Sequence, residues 1–138
     1  MNKEKQQLLY DKYPEIFKDK DLPMSKTCMC WGIDVGDGWF DIVENICNEI
    51  MKLHEKTGIQ FIADQVKEKY GGLRFYIHDD GRLLPLTNDE RTQHHLFMDS
   101  FITSMEELSE TTCEICGAPG INTNSGWSKT RCDACIDK

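Results

Sequence analysis

A chain of 138 residues, 39% of them hydrophobic, with a formal charge of −8, suits one domain of ordinary size plus a small appendage. No apolar run approaches the roughly 20 residues of a membrane span, and a negative field repels nucleic acid at long range, against DNA binding by counterion release. Residues 27–63 carry six acids against two bases and residues 83–112 six against one, whereas residues 64–82 are balanced at four and four, so a basic patch is expected there.

In chain order, residues 3–13 predict a short helix stopped by Pro14. Residues 19–38 hold Pro23, Gly32, Gly36 and Gly38 with no sustained period and predict an ordered loop. From Gly38 to about Lys56, Phe40, Val43, Cys47 and Ile50, flanked by Ile42, Ile46 and Leu53, form the wide apolar face of a core helix, with Gly58 as its C-terminal cap. Cys47, on that face, reads as packing. Farther on, Thr87 and Glu90 have capping-box spacing and open a long helix to about Glu110, with an expected apolar stripe of Leu96, Phe97, Phe101, Met105 and Leu108.

Between the two long helices, residues 61–78 read FIADQVKEKYGGLRFYIH. Gly71-Gly72 between two period-two segments predicts a two-residue hairpin turn, since a type I′ turn needs positive φ at both central positions. That register places Tyr70 opposite Leu73 and Lys69 opposite Arg74. One face then holds Val66, Tyr70, Leu73, Phe75 and Ile77, with Glu68 the exception, and the other holds Gln65, Lys67, Lys69, Arg74, Tyr76 and His78.

Cys113 and Cys116, then Cys132 and Cys135, form a C-x2-C-x15-C-x2-C pattern. Each pair places two thiolates on a tight turn, and two turns complete a sulfur tetrahedron around Zn2+ with no open position, which makes the metal structural. Gly117 supports a sharp knuckle, and Trp127 is expected to cover the module's apolar side. Two disulfides are the alternative and need an oxidising compartment. The opening MNKEKQQLLY has no signal-peptide character and the cysteine count is an odd seven, so a reducing cytoplasm is expected. The domain division is 1–110 for an α+β core and 111–138 for the zinc module.

Tyr13-Pro14-x-Ile16-Phe17, Gly36-Asp37-Gly38-Trp39, Gln65 to Tyr76 (QVKEKYGGLRFY) and Cys113-Glu114-x-Cys116-Gly117 together resemble a family of small proteins recurrent in bacteriophage and prophage genomes. The resemblance covers most of the chain and implies a phage or mobile-element setting in a bacterial host cytoplasm, without an activity. The segment KTCMCWGIDV departs from the family's commoner single cysteine beside the GDGW motif.

Lys69 opposite Arg74 is a like-charge pair, normally destabilising in a sheet. An anionic ligand such as a nucleotide phosphate would bridge them with Lys67 and His78 beside it and the Tyr76 ring for a base to stack on; the alternative is a solvated face whose charges pair with the protein's own carboxylates. The GDGW glycines resemble an anion nest, but Asp37 opposes an anion, so it is expected to cap the helix while Trp39 covers the core. Cys28 and Cys30 could form half a metal site with His78, His94 or His95, but C-x-C without matching ligands is a weak signal and adjacent histidines on a helix do not share a face; free or buried thiols are expected. Asp34, Asp37, Asp41, His78, Asp79 and Asp80 could be assembled into a hydrolase, yet the chain has no nucleophile elbow, phosphate loop or catalytic metal spacing. The expected fold is α+β, an antiparallel sheet with a GG hairpin packed against two long helices, plus a C-terminal zinc-ribbon-like module. The leading expectation for function is a non-catalytic phage or prophage binding protein that sequesters a nucleotide signal, or another anionic ligand, in counter-defence. The second is a zinc-stabilised regulator that binds a host protein or nucleic acid, and the third an enzyme acting on nucleotides.

Overall fold

In the computed structural model, which describes residues 1–123 and 126–138, helix α1 (Lys3–Lys12) is capped by the Asn2 side chain, which accepts from Lys5 N at 2.8 Å. Asp37 holds that cap in place by accepting from Asn2 N and Asn2 Nδ2. Asp37 therefore does not cap the following helix, contrary to expectation; it ties α1 to the loop. The chain after Tyr13 buries Ile16 and Phe17 completely, and Ile16 O accepts from Ala63 N, which fixes this loop on the sheet.

Within the loop, strand β1 (Ile33–Asp34) lies parallel to the sheet, Ile33 opposite Val66 and Asp34 opposite Lys67. Two residues are too few to show a period, which is why the sequence reads as loop here. After a 3-10 turn over Asp37–Trp39, helix α2 (Phe40–Thr57) buries Ile42, Val43, Ile46, Cys47, Ile50 and Leu53, and ends on Gly58 at φ 82°, whose N–H reaches His54 O. Strands β2 (Phe61–Lys69) and β3 (Gly72–Asp79) form the antiparallel pair, with a bulge between Ala63 and Gln65. The sheet order is β1-β2-β3, so the sheet is mixed.

The hairpin turns one residue earlier than predicted. Lys69 pairs with Gly72, and the central turn residues are Tyr70 at φ 55° and Gly71 at φ 80°. Lys67, not Lys69, lies opposite Arg74. Moving the turn by one residue changes each partner by two, so the faces survive: Val66, Leu73 and Phe75 are buried, while Lys69 and Tyr76 are exposed. Tyr70 leaves the apolar face for the exposed tip. The exceptional Glu68 is explained by the turn itself, since its Oε2 accepts from Gly71 N at 2.6 Å.

Helix α3 (Asn88–Ser109) opens with the predicted capping box of Thr87 and Glu90. Its inward face follows the expected stripe in part: Phe101 and Met105 pack against the core, but the buried positions are Met98, Ile102 and Ser109, whereas Leu96, Phe97 and Leu108 are about half exposed. The reason is the edge of β3. Ser109 Oγ accepts from Leu73 N at 2.8 Å and Glu106 Oε2 from Phe75 N at 2.9 Å, so two polar side chains face inward to satisfy the strand's outer N–H groups, and the helix is rotated accordingly. At the other end of β3, Asp79 receives two bonds from Arg91, one from Gly81 N and one paired with His95 Nε2. The Arg91 guanidinium, followed by Gly81 N–H and His95, holds the Asp79 carboxyl well below the ordinary range despite its burial.

Candidate metal centre

The four cysteines of the C-terminal module come together as the spacing requires. The sulfurs of Cys113, Cys116, Cys132 and Cys135 all lie within 4.8 Å of one another, and Cys116 and Cys132 Sγ are 3.5 Å apart. Sulfurs at the vertices of a tetrahedron around zinc would be separated by about 3.8 Å, given metal–sulfur distances near 2.3 Å. The group can hold a metal ion, and all seven cysteines of the chain are free thiols. The first knuckle closes through Gly117 at φ 83°, whose N–H reaches Cys113 O at 2.9 Å, and Ala118 O accepts from Cys113 N. The second is a single 3-10 turn, Asp133–Cys135, with Cys135 N donating to Cys132 O. Strands β4 (Ile121–Thr123) and β5 (Lys129–Arg131) pair antiparallel between them.

The four thiols act electrostatically on one another's ionisation. Burial opposes ionisation of Cys113, but backbone hydrogen bonds from Cys116, Cys132 and Ile115 outweigh it and bring the thiol down to about 6. Cys135 is pushed up to about 12 by burial and then by the sulfurs of Cys132, Cys116 and Cys113. One thiolate forms readily and another is suppressed by its neighbours, and a metal ion among them would favour the thiolate form of all four.

The sequence motifs outside the cysteines serve as the module's seat. Gly38 N donates to Glu114 O at 2.8 Å, Gly36 N to Glu114 Oε2 at 3.0 Å, and Trp39 Nε1 to Thr112 O at 2.8 Å. A Cβ on Gly38 would stand 2.1 Å from Cys113 O, and one on Gly36 2.3 Å from Glu114 O. Both glycines are thus required by backbone approach to the first knuckle. Trp39 is fully buried, as expected. Glu114 is held in turn by Arg131, an ion pair at 3.2 Å whose side chains are 10% and 13% exposed. The hairpin tip forms the second seat: Thr130 Oγ1 donates to Gly71 O at 2.6 Å and Asn122 Nδ2 to Tyr70 O at 3.1 Å. Trp127 does not cover the module; it is 79% exposed.

The proposed ligand residues occupy one sheet face but not one cluster. Lys67 and Arg74 are directly opposed, with Asp34 beside Lys67 on β1. Among the described residues, neither Lys67 nor Arg74 has a carboxylate within 4.0 Å. Arg74 Nη1 donates to Leu73 O, and its charge favours the ionised form of Glu106, whose carboxyl is raised overall by burial. Lys69 is at the tip, its Nζ 5.5 Å from the Tyr70 ring centre. Tyr76 borders a shallow hollow with Lys26, Thr27, Cys28, Asp64 and Gln65, and His78 Nδ1 pairs with Asp64 Oδ1 at 2.5 Å. Cys28 and Cys30 are exposed, and the four-cysteine group is the one metal-competent cluster among the described residues. What the sequence reading missed is the hollow beside the tip, lined by Tyr70, Trp127 and Lys69. It needs the β4–β5 ribbon folded back on the hairpin, and no spacing in the chain signals that.

No protein-family model matches the chain, and no curated protein or solved structure is similar to it. Among the described residues no helix is long and apolar enough to cross a membrane.

Proposed function

We propose that this is a non-catalytic binding protein in which a structural zinc fixes a C-terminal ribbon against an α+β core, and that the outer face of its β2–β3 hairpin takes an anionic ligand. The observation that carries the reading is the direct opposition of Lys67 and Arg74 with no carboxylate of the described residues within 4.0 Å. Like charges at directly opposed strand positions disfavour the pair, and an anion bound between them would relieve that while gaining charge-assisted hydrogen bonds. Zinc is favoured for the quartet because four thiolates in a closed tetrahedron suit a soft, redox-inert ion and leave no site for an activated water. Arg91 and His95 are both bonded to Asp79, which supports a structural use for the three. In the phage or prophage setting that the sequence resemblance implies, such a protein would act by sequestering a nucleotide signal in the host cytoplasm.

The test is calorimetric titration of nucleoside mono-, di- and triphosphates and cyclic dinucleotides into the parent and into Lys67→Gln/Arg74→Gln. At least one of these should bind the parent, weaken at least tenfold in the double variant, about 1.4 kcal/mol, and be recovered intact after denaturation. Equal affinity in both proteins would refute the outer-face site, and recovery of product would identify an enzyme.

A further inference from the structure

The outer face leaves the hairpin tip unexplained. Tyr70 holds a positive φ of 55°, the one non-glycine residue among those described to do so, and is 71% exposed. Glycine, asparagine or aspartate suits that turn position without strain, and a bulky aromatic there is an outlier. Its ring is not retained for packing. Trp127, on the connection between β4 and β5, is 79% exposed and joins Tyr70, Lys69, Glu68, Gly126 and Ser128 in lining a cavity of about 360 Å3. Strained backbone that presents an unpacked side chain to a cavity is a mark of a binding site.

We propose that this cavity binds a mononucleotide, its base stacked on Tyr70 and Trp127 and its phosphate met by Lys69. Two exposed aromatic rings offer flat surfaces suited to a base, and base–aromatic stacking is tolerant of base identity. Lys69 Nζ lies over one face of the Tyr70 ring, 5.5 Å from its centre, so a cation stands at the aromatic surface and a base would stack on the opposite face or displace it. Glu68, the acidic residue of the lining, accepts from Gly71 N through Oε2 at 2.6 Å, which fixes its carboxylate at the turn. The volume falls at the low end of small-molecule sites. A protein of net charge −8 repels each added phosphate of a longer strand, which favours a free nucleotide over single-stranded nucleic acid. The site goes beyond the outer-face reading and shares none of the opposed Lys67–Arg74 pair.

Adenosine 5′-monophosphate is the probe, followed by tryptophan fluorescence and calorimetry. Trp39 is fully buried, whereas Trp31 and Trp127 are 67% and 79% exposed, so stacking should quench saturably the part of the exposed fluorescence that Trp127→Ala removes. Trp127→Ala and Tyr70→Ala should each weaken binding at least tenfold while keeping the parent's metal content. Lys69→Gln should reduce affinity for the nucleotide to that for adenosine, and ribose 5-phosphate should bind at least tenfold more weakly than the nucleotide. Absence of saturable binding, or unchanged affinity in both aromatic variants, overturns the proposal, as does tighter binding of a short single-stranded oligonucleotide than of the mononucleotide. Parallel titration of Lys67→Gln/Arg74→Gln separates the two readings. Loss of the nucleotide there with full binding in Trp127→Ala places it on the outer face and overturns the tip site; loss in Trp127→Ala supports the tip site whichever way the outer-face variant behaves.

Discussion

At the scale of single residues, three positions carry opposed or unusual demands. Tyr70 holds its left-handed conformation at a cost of about 1 kcal/mol, which asparagine would largely avoid; Tyr70→Asn should raise the melting temperature by a few degrees, and a fall would show the ring to be packed. Gly38 is the reverse case. Its missing Cβ admits Cys113 O, which would otherwise be 2.1 Å away, and both partners are backbone, so Gly38→Ala should cost about 3 kcal/mol in urea unfolding. Asp79 is a charge held below its ordinary titration range by Arg91 first, then Gly81 N–H and His95. A depressed carboxyl stabilises the fold fully above the unfolded value near 4, and that contribution is lost as the pH falls through the lower folded value. Asp79→Asn should therefore be about 2 kcal/mol less stable than the parent at pH 7, with the gap narrowing below about pH 4. A gap that does not change with pH would assign the loss to packing.

At the scale of elements, local signals were legible and edge chemistry was not. The capping box of α3, the Gly58 terminus of α2 and the Pro14 stop of α1 are each written within a few residues, and the structure follows them. The hairpin was legible as a hairpin, but Tyr70-Gly71 and Gly71-Gly72 both supply a turn, and the choice is made from outside: Asn122 and Thr130 bond Tyr70 O and Gly71 O. Strand β1 is too short for a pattern. The inward face of α3 was legible only in part, at Phe101 and Met105, because periodicity follows apolar residues, whereas Ser109 and Glu106 are turned inward by two strand N–H groups. Ser109→Ala should then leave Leu73 N without its partner in a buried setting and cost about 2 kcal/mol, with faster amide exchange at Leu73. Exchange no faster than in the parent would mean that another group takes the bond.

At the scale of the whole molecule, the cysteine quartet was legible because ligand spacing is a property of the sequence, while its seat was not, because the seat joins distant segments. The glycines of GDGW resemble an anion nest until Glu114 is seen to fill it, and the hairpin turn gives no sign that Thr130 and Asn122 will bond its carbonyls. Removing the metal with a chelator, or substituting Cys116→Ser, should loosen residues 111–138 and, through the same contacts, raise amide exchange at Gly36, Gly38 and Gly71, while the Met98 and Ile102 face of α3 stays protected. Elemental analysis should find one zinc per parent chain; its absence after purification without chelator would sink the assignment. The contacts that seat the ribbon span 59, 73 and 78 residues of chain, from Gly71 to Thr130, Trp39 to Thr112 and Gly36 to Glu114. Closures of that length are slow to find and give no reward until both partners are formed. The core should therefore assemble first on refolding, with the ribbon docking in a later step. That step's rate should follow the concentration of added metal, making the ion a clock for maturation of the native protein.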